Sequence, residues 1–349
     1  MKAAVLYGDD DLRYEEYPEP ETGKGMVKVR VMAAGICGSD VPRVLAGGAH
    51  YYPIVLGHEF SGYVAEVGEG VTGVKPGDHV AGVPLIPCME CEDCKAGLYS
   101  LCKHYTFVGS RVQGAFADYV VLPEKNVVRI DEKIPYEQAA LFEPCTVSLH
   151  GLKMAGFKPG GTVAVVGGGT IGTFAIQWAR ILGASKIVAF GRDRKHLELS
   201  KRLGADAIIS TLDEDYIEQA MAESDGRGYD YVFEAAGSVP TIKLCFKLAA
   251  NRATVSFIGT PVGDITFTQQ EWELINRKEM FLTGSWMSGN APYPGDEWTF
   301  AGECFADGRL RFDPELFYAK FRMNDAGEAF RLFKDRSKVK GRVLLYNED

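Results

Sequence analysis

The chain has 349 residues, of which 46% are hydrophobic and 24% charged, as is typical of a globular protein with room for two domains. Its net charge of −9 argues against a nucleic acid or an anionic membrane as a partner, because both favour a basic protein face. We expect a cytoplasmic location, because no apolar run reaches the ~18 residues of a membrane span and the first residues do not resemble a signal peptide.

The first part of the chain is predicted to be β structure. Val27, Val29 and Val31 alternate with charged residues, a period of two that indicates a strand at residues 26–33. Segments broken by Gly and Pro predict further strands at residues 62–67, 78–83 and 118–122. This part therefore resembles a compact β-barrel whose loops carry function.

A helical run at residues 136–156 precedes a regular alternation of strands and helices. Strands are predicted at residues 162–166, 186–190, 207–209, 229–234, 254–258 and 280–283. Helices are predicted between them at residues 171–182, 195–203, 215–222 and 239–249. Strict alternation of this kind predicts an α/β unit with a parallel, doubly wound sheet.

The pattern changes again after residue 284. Helices are predicted at residues 296–306 and 325–333, followed by an edge strand at residues 341–346. We interpret this tail as a return of the chain to the first domain.

The stretch from Cys37 to Glu59 contains a thiol, an imidazole (His58) and a carboxylate, with Ser39 two residues after the thiol. Cys and His are ligands that zinc selects. A catalytic zinc has three protein ligands and one open position, so another part of the chain must supply a further ligand.

A set of four cysteines follows, spaced C-x2-C-x2-C-x7-C, at Cys88, Cys91, Cys94 and Cys102. Four thiolates complete a tetrahedral zinc and leave no open position, so the set predicts a structural zinc. In a cytosolic chain such clustering favours a metal over disulfides, and the last spacing does not fit the ferredoxin type of iron–sulfur site.

A GxGxxG loop lies between the predicted strand at residues 162–166 and the next helix. It consists of Gly167, Gly168, Gly169, Thr170, Ile171 and Gly172. The first glycine permits a tight turn, the second lets the backbone approach a pyrophosphate, and the third allows close packing of helix on strand. The free N–H groups at the helix N-terminus favour the anion, so the loop predicts a dinucleotide site.

The end of the next predicted strand bears on the choice between NAD and NADP. An NAD site has an Asp or Glu there, whereas this sequence has Gly191, Arg192, Asp193 and Arg194. Gly leaves space and the two arginines suit a 2′-phosphate, so we favour NADP over NAD. The alternative is that Asp193 is the ribose-binding acid and both arginines are only solvated.

Together these motifs resemble those of the zinc-containing medium-chain dehydrogenases, in the same order along essentially the whole chain. The glycines around Gly57-His58-Glu59, at Gly62 and Gly68, belong to the same pattern. The resemblance implies a GroES-like β-barrel catalytic domain at residues 1–150 and 285–349, with a structural zinc lobe at 84–104 and a Rossmann cofactor domain at 151–284. It also implies a homodimer or homotetramer, for which the strand at 280–283 is a candidate edge.

The same resemblance implies a full set of catalytic residues. Glu143 matches the third ligand of the polyol dehydrogenase branch, so Cys37, His58 and Glu143 would hold the catalytic zinc. Glu59 would bind the metal directly in some states, or would orient it without binding it directly. Ser39 matches the hydroxyl that relays the substrate proton. Zinc lowers the pKa of a bound hydroxyl, and the nicotinamide takes the hydride.

Residues 37–63, 83–111, 284–287 and 294–298 resemble the sugar-alcohol phosphate branch of this family. That similarity implies oxidation of a substrate of the galactitol 1-phosphate type to a ketose of the tagatose 6-phosphate type. The usual cofactor of that branch is NAD, from which Gly191 and Arg192 are a departure. The residues that we expect to face the substrate are Arg43, His50, Arg111, Trp286 and Trp298.

Other interpretations remain open. The substrate is alternatively a free polyol of the sorbitol or arabinitol type, or another secondary alcohol. A remote alternative is an inactive protein that binds zinc and a dinucleotide; such a protein would be expected to lack a ligand such as Cys37, His58 or Glu143, and none is lacking. Each arginine named for the substrate is alternatively a solvated surface residue, and each tryptophan a core residue.

Overall fold

A computed structural model describes residues 1–261, 263–335 and 338–348. The chain forms two units, one from Met1–Glu143, Ser288–Gly308 and Phe312–Asp349, the other from Pro144–Met287 and Arg309–Arg311. The unit boundaries at 143/144 and 287/288 differ by a few residues from the predicted 150/151 and 284/285, and the first of them falls within the helix at Phe142–Met154. Within the described ranges, no helix has the length and apolar character needed to cross a membrane.

The first unit begins with β structure, as predicted. Its strands before the second unit are β1 (Lys2–Gly8), β2 (Asp11–Glu16), β3 (Met26–Ile36), β4 (Ile54–Val55), β5 (Glu59–Val67), β6 (His79–Gly82), β7 (Leu85–Ile86), β8 (Thr106–Phe107), β9 (Tyr119–Pro123) and β10 (Val127–Arg129). The helices here are α1 (Asp40–Leu45), α2 (Glu92–Lys95), α3 (Tyr136–Ala139) and α4 (Phe142–Met154), with 3-10 turns at Tyr99–Leu101 and Glu124–Asn126.

Strand β3 organises this unit. Its alternating valines, Val27, Val29 and Val31, are fully buried in the core. The strand pairs along its length with β5, with β9 over its first half and with a C-terminal strand over its second half. Because Gly35 of β3 pairs with Glu59 of β5, the pairing brings the end of one strand beside the start of the other.

The second unit is built on a parallel sheet. Its strands are β11 (Thr162–Val166), β12 (Lys186–Gly191), β13 (Ala207–Ser210), β14 (Tyr229–Glu234), β15 (Ala249–Phe257) and β16 (Phe281–Gly284). Its helices are α5 (Thr170–Ile181), α6 (Arg194–Arg202), α7 (Tyr216–Ala222), α8 (Val239–Leu248) and α9 (Gln269–Arg277). The strand order β13-β12-β11-β14-β15-β16 confirms the predicted doubly wound fold, with its switch point between β11 and β14.

The tail returns to the first unit as predicted, with one correction. It forms α10 (Asp296–Ala306), β17 (Phe317–Arg322), α11 (Ala326–Arg331) and β18 (Arg342–Tyr346), with 3-10 turns at Pro314–Leu316, Met323–Asp325 and Leu332–Asp335. The predicted edge strand was wrong, because β18 lies between β3 and β17. Val343, Leu344 and Leu345 are all fully buried, and a continuous apolar run is typical of an interior strand.

Candidate active site and metal centres

Cys37, His58 and Glu59 lie together at the meeting point of β3 and β5. One potential ligand atom from each residue lies within 4.8 Å of the other two. Cys37 follows the last residue of β3, and Glu59 is the first residue of β5. Strand pairing therefore brings Cys37 together with Glu59, which lies 22 positions later in the sequence.

Glu143 is not part of this trio. It is buried in the first turn of α4, close enough for its charge to interact with those of Glu59 and His58. Burial, reinforced by the charge of Glu59, raises the pKa of Glu143 to about 8. Two buried carboxylates that influence each other in this way are stabilised by a nearby cation. The assignment of Glu143 as a ligand stays a prediction.

The residues of the trio fit a zinc ion. Sulfur, imidazole nitrogen and carboxylate oxygen are the ligand types of catalytic zinc sites. Among the described residues, the Oε2 atom of Glu59 is buried without a hydrogen-bond partner. His58 Nδ1 faces Asp40 Oδ1 at 3.4 Å, which leaves the other ring nitrogen for a metal.

Asp40 supports this site and was missed by the sequence analysis. Its carboxylate is fully buried, accepts a hydrogen bond from Cys37 N at 3.2 Å, and lies beside His58. Burial lowers the pKa of His58, but the negative charges of Asp40 and Cys37 outweigh that effect and raise it well above its usual value. An Asp three residues after a ligand Cys was the available signal.

Arg342 also supports the site and was missed as well. It begins β18, is 9% exposed, and its Nη1 lies 3.1 Å from Glu59 Oε1. The same nitrogen donates to Ile36 O at 2.9 Å. Arg342 therefore holds Glu59 at the end of β3. An Arg that opens an otherwise apolar strand was a weak signal for this role.

Ser39 and Arg43 lie on the helix that follows Cys37. Ser39 is exposed at the start of α1, and Arg43 Nη1 donates to both its Oγ and its carbonyl oxygen at 3.1 Å. This nitrogen of Arg43 also lies 3.2 Å from Asp40 Oδ1. One side of the Arg43 guanidinium is thus committed to the turn that holds Ser39.

The other residues expected to face the substrate lie in different environments. His50, Arg111 and Trp286 are exposed. Arg111 stacks on the ring of Tyr105, with its guanidinium carbon 4.6 Å from the ring centroid. Trp298 is fully buried, which favours the alternative of core packing.

The four-cysteine set forms a second cluster, with all four sulfurs within 4.8 Å of one another. The sulfur–sulfur distances are 3.4 Å for Cys88 and Cys102 and 3.9 Å for Cys88–Cys94 and Cys91–Cys102. A tetrahedral zinc with bonds of ~2.3 Å requires sulfur atoms about 3.8 Å apart. Backbone N–H groups of Cys94 and Lys103 lower the pKa of Cys91 to about 6, which favours the thiolate that binds a metal.

The GxGxxG loop has the geometry that its glycines predict. Gly167 has φ +120°, in the region that favours glycine. A Cβ on Gly172 would lie 1.8 Å from Gly167 O, so helix and turn are in contact there. A Cβ on Gly169 would meet nothing within 4 Å, which leaves open space at the N-terminus of α5, where Thr170 and Ile171 begin the helix.

In the turn after β12, the two arginines are exposed to solvent, whereas Asp193 is engaged in a hydrogen bond with the backbone. Arg192 and Arg194 are exposed, and Arg194 Nε lies 3.5 Å from Glu198 Oε1. Asp193 is the N-cap of α6, and its Oδ1 accepts a hydrogen bond from His196 N at 3.0 Å. The carboxylate of Asp193 is therefore used to cap the helix.

Comparison with known proteins gives two family matches. The alcohol dehydrogenase GroES-like domain matches residues 23–132, and the zinc-binding dehydrogenase family matches residues 170–301. These matches fall on the β-barrel part of the first unit and on a region that begins in the second unit.

Individual relatives extend over the whole chain. Galactitol 1-phosphate 5-dehydrogenase of Escherichia coli is 38% identical over 346 residues, 99% of both chains, and its crystal structure matches with a TM-score of 0.93 over 99% of this chain and 100% of that one. Sorbitol dehydrogenase of Bacillus subtilis is 34% identical over 75% of both chains. A zinc-binding dehydrogenase from Sinorhizobium meliloti, solved with NADP, is 30% identical with a TM-score of 0.88, over 99% of this chain and 98% of that one.

Proposed function

Because this chain belongs to the zinc-containing medium-chain dehydrogenases and is an NAD(P)-linked polyol dehydrogenase, we propose that it oxidises a sugar-alcohol phosphate of the galactitol 1-phosphate type. The observation that carries this proposal is the 38% identity to galactitol 1-phosphate 5-dehydrogenase over 99% of both chains. The product would be a ketose phosphate of the tagatose 6-phosphate type.

We assign the chemistry of the first unit to a small set of residues. Cys37, His58 and Glu143 would hold the catalytic zinc, and Glu59 would stand beside it under the control of Arg342. When bound, a zinc ion held by these residues would supply Lewis-acid chemistry at the substrate oxygen. Ser39, exposed and oriented by Arg43, would accept the hydroxyl proton. A second, structural zinc would be held by the four-cysteine cluster.

NADP is the favoured cofactor in our proposal. The N–H groups at the start of α5 would hold the pyrophosphate. Gly191 offers no carboxylate to a ribose diol, and the Asp193 carboxylate already uses its Oδ1 to cap α6. Arg192 and Arg194 are exposed and free to approach a 2′-phosphate, although Arg194 would exchange its contact with Glu198.

A phosphate on the substrate needs a cation to hold it. We favour Arg111 for this role, because Arg43 already uses one nitrogen on Ser39 and Asp40. The 34% identity to sorbitol dehydrogenase supports the alternative, in which the substrate is a free polyol. If the substrate carries no phosphate, neutralising either arginine should leave KM almost unchanged.

We further propose a homodimer formed through β16. This strand ends the parallel sheet, and among the described residues no strand pairs with its outer edge. Phe281 and Leu282 of β16 are 54% and 41% exposed, which is unusual for large apolar residues on a sheet edge. A Leu282→Asp variant that remained dimeric by light scattering would rule out this edge.

The many reduced thiols in the two metal sets favour a reducing compartment such as the cytoplasm.

One experiment tests the function directly. Galactitol 1-phosphate, free galactitol, sorbitol and arabinitol are each incubated with NAD or NADP, with and without a strong zinc chelator, and formation of reduced nicotinamide is followed by absorbance. We expect the highest kcat/KM for the phosphorylated polyol with NADP, and loss of the activity on chelation. Faster turnover of a free polyol would favour the alternative, and no reduction with any alcohol would leave only an inactive binding protein.

A further inference from the structure

Glu234, at the C-terminal end of β14, is a fully buried carboxylate with an unusual set of partners. Its Oε1 accepts hydrogen bonds from Ala236 N at 3.0 Å, Gly237 N at 2.9 Å and the Thr241 hydroxyl at 2.7 Å, and Oε2 lies 3.1 Å from Gly237 N. Among the described residues, the hydrogen-bond partners of the Glu234 carboxylate are thus backbone N–H groups and one hydroxyl. None of these partners is a cation. Burial of a charge is costly unless hydrogen bonds compensate it, so Glu234 fixes the positions of these donors.

The donors belong to a turn that lies against the GxGxxG loop. Ala235 N donates to Val166 O at 2.9 Å, one residue before Gly167. A Cβ on Gly167 would lie 3.1 Å from Ala235 C, from Ala236 N and from Ala236 Cβ. The 235–237 turn therefore occupies the space that a side chain at residue 167 would need, and it packs directly against the backbone of the loop.

Glu234 also reaches the turn after the next strand. A Cβ on Gly259 would lie 2.6 Å from Glu234 Oε2, and a Cβ on Gly237 would lie 2.1 Å from Thr260 O. The N–H groups of Ile258 and Gly259 donate to the Glu234 carbonyl oxygen at 2.9 and 3.0 Å. The side chain and the carbonyl of one residue therefore link the turns that follow β14 and β15.

These turns lie at the carboxyl edge of the sheet, next to β11, where a doubly wound fold binds its dinucleotide. We propose that Glu234 is a positioning residue for the dinucleotide, which acts by holding the 235–237 turn against Gly167 and so keeping the phosphate-binding loop in its binding conformation. The inference rests on the dinucleotide site of the proposed function. It assigns no contact between Glu234 and the cofactor itself.

The test compares cofactor affinity with stability in full-length, zinc-loaded protein. The dissociation constants of NADPH and NADH are measured by nicotinamide fluorescence, and Tm is measured by calorimetry. We expect Glu234→Ala to raise Kd for both cofactors about tenfold, because it leaves the buried donors of the 235–237 turn without an acceptor. We expect Thr241→Val to raise Kd about threefold, because it removes one donor to Glu234. Thr241→Ser, which keeps the hydroxyl, should restore the affinity.

Tyr229→Phe is the matched control. Tyr229 lies at the opposite end of β14, is fully buried, and donates from its hydroxyl to Ala220 O at 2.9 Å. This variant should lower Tm as Thr241→Val does but leave Kd within about twofold of wild type. If Thr241→Val and Glu234→Ala also lower Tm without any change in Kd, Glu234 is only structural and the inference is wrong.

Two further outcomes are decisive. Should Glu234→Ala fail to fold, the Thr241→Val and Thr241→Ser pair decides the question alone. Wild-type protein that bound neither dinucleotide would overturn the proposed function together with this inference, whereas normal wild-type binding with unchanged variants would overturn only the inference.

Discussion

Arg43 donates from a single nitrogen, Nη1, to both the hydroxyl and the carbonyl oxygen of Ser39, at 3.1 Å each. The guanidinium therefore holds the turn that carries the proposed relay hydroxyl, while Arg111 stacks on Tyr105. The two arginines that the sequence analysis assigned together to the substrate are engaged in different ways.

We expect different kinetic effects when each arginine is neutralised. Arg43→Gln should lower kcat about tenfold on phosphorylated and free polyols alike, because a charged donor to the relay hydroxyl is lost. Arg111→Gln should raise KM about tenfold for the phosphorylated polyol and leave KM for free polyols unchanged. Steady-state kinetics on both substrate types would check this. A rise in KM for the phosphate in Arg43→Gln, with kcat unchanged, would instead place the phosphate on Arg43.

Gly191→Asp should shift the cofactor preference from NADP to NAD. A Cβ at this position would lie 3.4 Å from Leu197 Cδ2, an ordinary contact, so the position accepts a Cβ. The new carboxylate would bind a ribose diol and repel a 2′-phosphate. We expect kcat/KM to fall at least about tenfold with NADP and to rise with NAD. A wild-type enzyme that already prefers NAD would contradict the assignment of Gly191 and Arg192.

Metal analysis separates the two zinc sites. Glu143→Ala should lose the catalytic zinc and keep the structural one, whereas Cys94→Ser should lose the structural zinc and lower Tm by roughly 10 °C. Atomic emission on dialysed protein, combined with calorimetry, measures both effects. If Glu143→Ala retained its full zinc content, Glu59 would be the third ligand, as its place within 4.8 Å of Cys37 and His58 allows.

Gly35→Ala should disturb the proposed catalytic site by displacing Glu59. A Cβ at Gly35 would lie 2.5 Å from Glu59 Oε2, so the carboxylate that pairs with Arg342 must shift. We expect activity to fall about 100-fold, as small misplacements near the chemistry can cause. Gly38→Ala is the control, because a Cβ there meets nothing within 4 Å. Equal activity in the two variants would show that the position of Glu59 does not matter for turnover.

Local signals carried most of the correct predictions. The four cysteines lie within fifteen positions, so their spacing alone indicated a cluster, and the alternation of strands and helices was regular enough to predict the parallel sheet. The supporting residues were harder to find. Arg342 reaches Glu59 only because β18 inserts beside β3, and no sequence period encodes a pairing over such a separation. The same insertion overturned the edge assignment of β18.

The position of β18 also has a consequence for biosynthesis. Arg342 donates to Ile36 O across 306 positions of sequence, and between the two lies the complete second unit. On the ribosome, N-terminal segments emerge first, so β3 is exposed for as long as the intervening domain takes to be made. During that interval an unpaired strand half is available for wrong pairing. The contact of Arg342 with Glu59 beside the proposed metal site can therefore form only after the whole second unit has been made, and the residues at 342–346 set the moment at which that site is completed.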